Sequence, residues 1–184
     1  MNHHLNTLCR RTFFACLTLS IALPAFAQIA TRFEEDFDDV AKPWQEITVQ
    51  LPPVPEARNL LRFDVSATAT QRFAIDATSL SVGSDGVVRY VLVARSESVA
   101  ENISYEGLRC ASLESKLYAF GHRDGTWSRA RRDGWEPIHG SAANRQHAAL
   151  ADRYLCDGHV IAGDAPAILR RLRLKQPTNL QFAR

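Results

Sequence analysis

Past residue 27 the chain has no apolar run long enough to cross a bilayer as a helix, which takes about 20 residues, so no membrane-spanning segment is expected. It lacks the HExxH, HxxxH and CxxC spacings that gather metal ligands, which excludes a metal site of those patterns. It lacks the GxSxG elbow of a serine hydrolase and any glycine-rich phosphate loop. Lysine is scarce, at 3 against 19 arginines. There are no internal repeats and no low-complexity tracts.

The start of the chain reads as an export signal. Arg10 and Arg11 precede the apolar run Phe13 to Leu23, and Ala25-Phe26-Ala27 supplies the small-x-small cleavage pattern. Residues 1–27 are therefore assigned as a cleaved signal peptide, and the protein as exported, periplasmic or associated with the outer envelope. Its removal takes Cys9 and Cys16 with it and leaves Cys110 and Cys156, which have one possible intramolecular pairing. In an oxidising compartment that pair is expected as a structural disulfide. The alternative, a reactive thiol, needs an electropositive, partly exposed setting. Cleavage also removes two of the 22 basic residues and none of the 20 acidic ones. The mature net charge is then zero, and nucleic acid is not an expected partner.

Residues 28–40 form an acidic, flexible segment in which FEEDFDD, Phe33 to Asp39, carries five carboxylates. It is either a solvated tail or a partner- or calcium-attracting one. Residues 41–175 read as one α+β domain, and residues 176–184 as a flexible tail. Ile47, Val49 and Leu51 alternate like a short strand that ends at Pro52, Pro53 and Pro55. Gly83-Ser84-Asp85-Gly86 is a tight turn between two strands. The second of these is apolar on both faces and should be central, and the first changes parity near Thr78, where a bulge is expected. Asn102 to Ser112 and Lys116 to His122 make a further pair around Leu113-Glu114-Ser115. Asp124-Gly125 and Asp133-Gly134 continue the meander, with Trp127 and Trp135 as anchors. The expected fold is an antiparallel meander of about five to six strands with two C-terminal helices packed on it. One helix is capped by Ser141, with Ala143, His147, Leu150 and Tyr154 on one side. The other is capped by Asp164 and has Ile168, Leu169 and Leu172 as its stripe. The disulfide then pins helix to sheet, and a single helical layer leaves the other sheet face partly open.

The blocks FEEDFDD, KPWQEI, SLSVGSDGVVRYVLVARS, SYEGLRC, YAFG with GTWS, and NRQHAAL, in that order, resemble the cryptic neisserial protein-like family of exported bacterial proteins. The similarity runs from about Phe33 to Leu169. It implies an exported protein of unassigned function and transfers no catalytic residue.

Two candidate sites remain. Trp127, Arg129, Arg131 and Trp135 combine residue types enriched at binding hot spots, or the tryptophans simply fill the core. Asn144, Arg145 and His147 form either a polar pocket floor or a core-facing helix edge. The leading reading is a non-enzymatic domain that binds a protein or a cell-envelope component, without cofactor or metal. The alternative is a periplasmic small-ligand carrier or a hydrolase-like enzyme using the His147 helix. A hydrolase of the paired-carboxylate type needs two acids fixed across a cleft, and sequence does not place Glu106 and Glu114 that well.

Overall fold

The computed structural model describes residues 43–96, 100–139 and 145–178. The chain divides into two units, residues 1–42 and 43–184, and every described residue belongs to the second. The expected signal peptide, the acidic segment, the Ser141 cap with Ala143, and Asn144 lie outside the described residues.

Alternating apolar residues build an antiparallel sheet in chain order. Its strands are β1 (Leu60–Phe63), β2 (Gln71–Asp76), β3 (Ser81–Val82), β4 (Val87–Ser96), β5 (Glu101–Arg109), β6 (Glu114–Gly121), β7 (Trp127–Arg129) and β8 (Glu136–Pro137). The order β1-β2-β4-β5-β6-β7 is a meander, with β3 also on β4 and β8 also on β6. β4 is buried from Val87 through Val93, as its two apolar faces lead one to expect. The parity change near Thr78 is a wide interruption. From Ile75 to Ser81 the chain advances six positions, while the facing strand moves only three, from Leu92 to Arg89. The freed Val91 amide is not orphaned, because it donates to Ser79 Oγ at 2.9 Å.

The Gly83–Gly86 turn forms as expected, with Gly86 at φ +75°. The β5–β6 turn does not lie at Leu113-Glu114-Ser115. It closes one step earlier, over Cys110 to Leu113, and Glu114 and Ser115 belong to β6. Leu113 takes φ +52° there, a left-handed conformation rare for a bulky residue, so sequence gives no hint of it.

Helix α1 (Arg145–Leu150) runs directly into a π-helical turn, Ala151–Leu155. A short hairpin of β9 (Cys156–Asp157) and β10 (Val160–Ile161) follows, then α2 (Ala165–Leu174). Asp164 caps α2 by accepting from the Ala167 amide at 2.9 Å, and Ile168 and Leu172 are buried. Thr178 ties the following segment back, its amide donating to Arg153 O at 2.8 Å. The helices lie on the sheet face that carries Phe63, Ile75, Tyr90, Leu92 and Leu108, making the main core. Cys110, at the end of β5, is bonded to Cys156 with Cα atoms 5.7 Å apart. The expected disulfide therefore does link the sheet to the helical layer. None of the described helices is long and apolar enough to cross a membrane.

The second sheet face is not left open along its length. Residues 43–55 lie across it as an extended strap, with Val49 and Leu51 on a smaller core of Val91, Val93, Tyr105 and Tyr118. The short strand expected from Ile47, Val49 and Leu51 is extended chain without ladder pairing.

Candidate functional site

The strap is held at its start by a cluster of charged and aromatic side chains. Arg89, on the second face of β4, is only 4% exposed. Its guanidinium meets Asp85 from the preceding turn, with Nη2 to Oδ2 at 2.5 Å and Nη1 to Oδ1 at 3.1 Å. Asp85 also accepts from the strap, from the Ile47 amide at 3.1 Å, and its carbonyl takes Trp44 Nε1 at 2.7 Å. Glu46 then reaches down onto the sheet. It accepts from Lys116 Nζ at 2.9 Å, from the Tyr118 hydroxyl, from Trp135 Nε1 at 3.4 Å, and from Arg89 Nη2 at 3.5 Å. Burial alone raises the Glu46 carboxyl, but the hydrogen bonds from Lys116, Tyr118 and Trp135 outweigh it and hold it below the ordinary value. Asp85 is likewise lowered, with Arg89 and the Ile47 amide overcoming the effect of burial. The Tyr118 phenol is pushed up by burial and by its bond to the Glu46 carboxylate.

Two glycines make room for this arrangement. A Cβ on Gly107 would stand 2.5 Å from the Tyr118 hydroxyl, and one on Gly121 would stand 3.2 Å from the Trp127 ring. Tyr118 is itself the extra residue of a bulge, since Tyr105 faces Ala119 while Glu106 faces Leu117. The bulge turns its hydroxyl toward Glu46. Trp127 fastens the other end of the strap by donating Nε1 to Pro52 O at 2.8 Å.

At the start of the strap, the same cluster includes a cation–aromatic stack of Trp44, Arg109 and Trp135. The Arg109 guanidinium lies 4.2 Å from the Trp44 ring centroid and 5.4 Å from that of Trp135, and the two rings meet edge to face at 5.8 Å. Trp44 is 42% exposed. Arg109 is held by Ser112 at 2.6 Å and by an ion pair to Glu114.

The four residues expected as one binding patch thus occupy different places. Trp135 belongs to the stack. Trp127 is half-buried against Tyr105 and anchors the strap. Arg129 lines a cavity of about 310 Å³ beside the strap, with Glu46, Lys116 and Asp133. Arg131, two residues further along the chain, is exposed. Of the second set, Arg145 is exposed at the edge of a shallow pocket with Thr70 and Gln146. His147 points into the core instead, its Nε2 2.8 Å from Glu106 Oε2, and Ser104 donates to the other Glu106 oxygen at 2.7 Å. Burial pulls the His147 pKa down, but the bond and charge of Glu106 overcome it and the net position is above the ordinary value. His147 Nδ1 is buried without a hydrogen-bond partner among the described residues, and the buried Tyr90 hydroxyl faces the Glu106 carboxylate from the neighbouring strand. No group of three or more His, Cys, Asp or Glu among the described residues is arranged to hold a metal ion.

Sequence reasoning passed over Glu46, Asp85, Arg89 and Arg109. The available signal was the block KPWQEI, which places an aromatic residue and a carboxylate two apart just before a proline-rich stretch.

A meander sheet with helices on one face and a latched strap on the other makes an α+β fold. A family model described as the CNP1-like family matches residues 39–173, and the chain belongs to that family, which has no assigned function. Cryptic neisserial protein 1 of Neisseria gonorrhoeae is 29% identical to it over 189 aligned positions, covering 89% of this chain and 92% of that protein. No solved structure matches the chain.

Proposed function

We propose that the protein is an exported, non-enzymatic domain of the periplasm or outer envelope that binds a protein or envelope component through the stack of Trp44, Arg109 and Trp135. The observation that carries this reading is a guanidinium set against two indole rings that also touch each other, one of them 42% exposed. Trp and Arg supply large contact area and directional donors, and they dominate binding hot spots. Here the strap and Glu114 already fix them, so little side-chain freedom remains to be lost on association. Arg129, exposed at the cavity that Glu46 and Lys116 also line, and Arg131, exposed two residues further along the chain, extend the contact.

The test is site-specific photo-crosslinking in intact cells. A photoreactive residue at Arg131 is expected to give an adduct of discrete mass, and one at the exposed Arg170 on α2 is expected to give none. The Arg131 adduct should also disappear in a Trp44→Ala background. Equal labelling from both positions, or none from Arg131, removes this surface from consideration.

A second reading, a small-ligand carrier or hydrolase-like enzyme using the His147 helix, is favoured by the buried, unpartnered His147 Nδ1. It requires a retained molecule in native mass spectra that His147→Ala releases. A native mass equal to the covalent mass ends it.

A further inference from the structure

We propose that the far end of the second sheet face is a binding site for a phosphate group, formed by Arg62, Arg72 and Arg95. These arginines come from β1, β2 and β4 and share one side of the sheet. They line a depression of about 570 Å³, within the size range of small-molecule sites. Arg72 and Arg95 are direct cross-strand partners, and Arg62 faces Ala74, two residues along β2 from Arg72. Like charges placed opposite one another on one sheet face are destabilising, so the arrangement is costly unless an anion sits among them. Arg95 has one counter-ion, Glu101. Among the described residues Arg62 and Arg72 have none, since the recorded ion pairs engage other groups.

The floor supports the same assignment. Leu60, Ala74 and Val93 form it, and Ala74 and Val93 are buried. The small Ala74 side chain, on β2 between Arg62 of β1 and Val93 of β4, leaves room over this floor. Guanidinium forks match the oxygens of a phosphate in pairs, and three arginines lining one depression offer more paired donors than a single planar carboxylate can use. The apolar floor accepts the organic part of an ester. The site stands apart from the Trp44 stack, because Val87 to Arg95 along β4 span about 26 Å at ~3.3 Å per residue, and it does not rest on the partner surface proposed above.

The experiment uses the mature, disulfide-bonded protein. Inorganic phosphate is titrated at constant ionic strength against chloride while the arginine guanidinium Nε–H resonances are followed by NMR. Flotation with phosphatidylglycerol vesicles is compared with flotation on phosphatidylcholine vesicles. Saturable binding of phosphate is expected, weakened about tenfold or more by Arg62→Gln and by Arg72→Gln. Both side chains are exposed, so these variants keep the fold. Ala74→Leu, which fills the floor and changes no charge, is expected to abolish binding, and where it does not fold the two glutamine variants carry the result. Phosphate binding without vesicle binding identifies a soluble phosphate ester. Phosphatidylglycerol-selective flotation lost in Arg72→Gln identifies a lipid headgroup. Absence of both, or binding that the two glutamine variants leave unchanged, overturns the assignment.

Discussion

His147 and Glu106 show how a polar pair sits inside an otherwise apolar layer. The imidazole comes from α1 and the carboxylate from β5, 41 residues away in sequence, and both are largely buried. The raised His147 pKa sets a direction for stability. Below the unfolded value near 6.5 both states hold the proton and the full contribution is present. As pH rises through the higher folded value, the native state gives up the proton and the contribution is lost. Urea unfolding from about pH 6 to about pH 8.5 should therefore show declining stability. Glu106→Gln should remove or reverse that decline, since burial alone would then disfavour the charged ring. The same decline in Glu106→Gln would assign the pH dependence elsewhere. Helical spacing made the core-facing side of His147 legible in the sequence, but its partner was not. A glutamate in a strand is read as solvent-facing, and only the register that puts Glu106 opposite Tyr90 shows that it faces the helices.

At the scale of elements, the strap carries the most instructive discrepancy. Val49 and Leu51 alternate because an extended chain with one side packed on a sheet has a period of two whether or not it hydrogen-bonds to a neighbour, while Ile47 at the start of the same run is 43% exposed. Pattern therefore cannot separate a paired strand from a chain laid across a sheet face, and Pro52, Pro53 and Pro55 already argue against a ladder. What replaces the ladder is the set of side-chain bonds around Glu46. Glu46→Ala leaves Lys116, Tyr118 and Trp135 without their common acceptor, so it should cost about 2–4 kcal/mol, comparable to other losses of one partner in a buried charged network. Limited proteolysis should then cut within residues 43–55 before the sheet is attacked, and amide exchange should rise there first. Glu46→Gln, which keeps part of the acceptor capacity, should fall between the two. Unchanged protection of the strap in Glu46→Ala would mean that Val49, Leu51 and the Trp127–Pro52 bond hold it alone. The family-like blocks SYEG and YAFG become intelligible at this scale as well, since their glycines seat Tyr118 and Trp127 beneath the strap.

For the whole molecule, the order of a meander followed by two helices was legible, because turn residues and apolar periods stand in sequence and the long strands pair in chain order. The π-helical turn, the Leu113 turn and the covering of the second face were not, because each depends on contacts between distant segments. The disulfide was legible by cysteine arithmetic, and its place in the fold gives it a large expected effect. It closes a loop with a sequence separation of 46 between the end of β5 and the end of the π turn. In the chain-entropy description a loop of that length contributes about 4 kcal/mol. Set against a total of about 5–15 kcal/mol for a domain, its removal should leave a protein that is marginal at physiological temperature. Cys110→Ser with Cys156→Ser should lower the urea midpoint strongly, and reduction of the wild type should lower it by a similar amount. Because the bond joins the helical layer to the sheet, amide protection should fall first in the π turn, β9 and β10, while β4 and β5 stay protected. A loss under about 1 kcal/mol, with protection unchanged in the helical layer, would show that Leu150, Leu155, Ile168 and Leu172 hold that layer on the sheet without the covalent link.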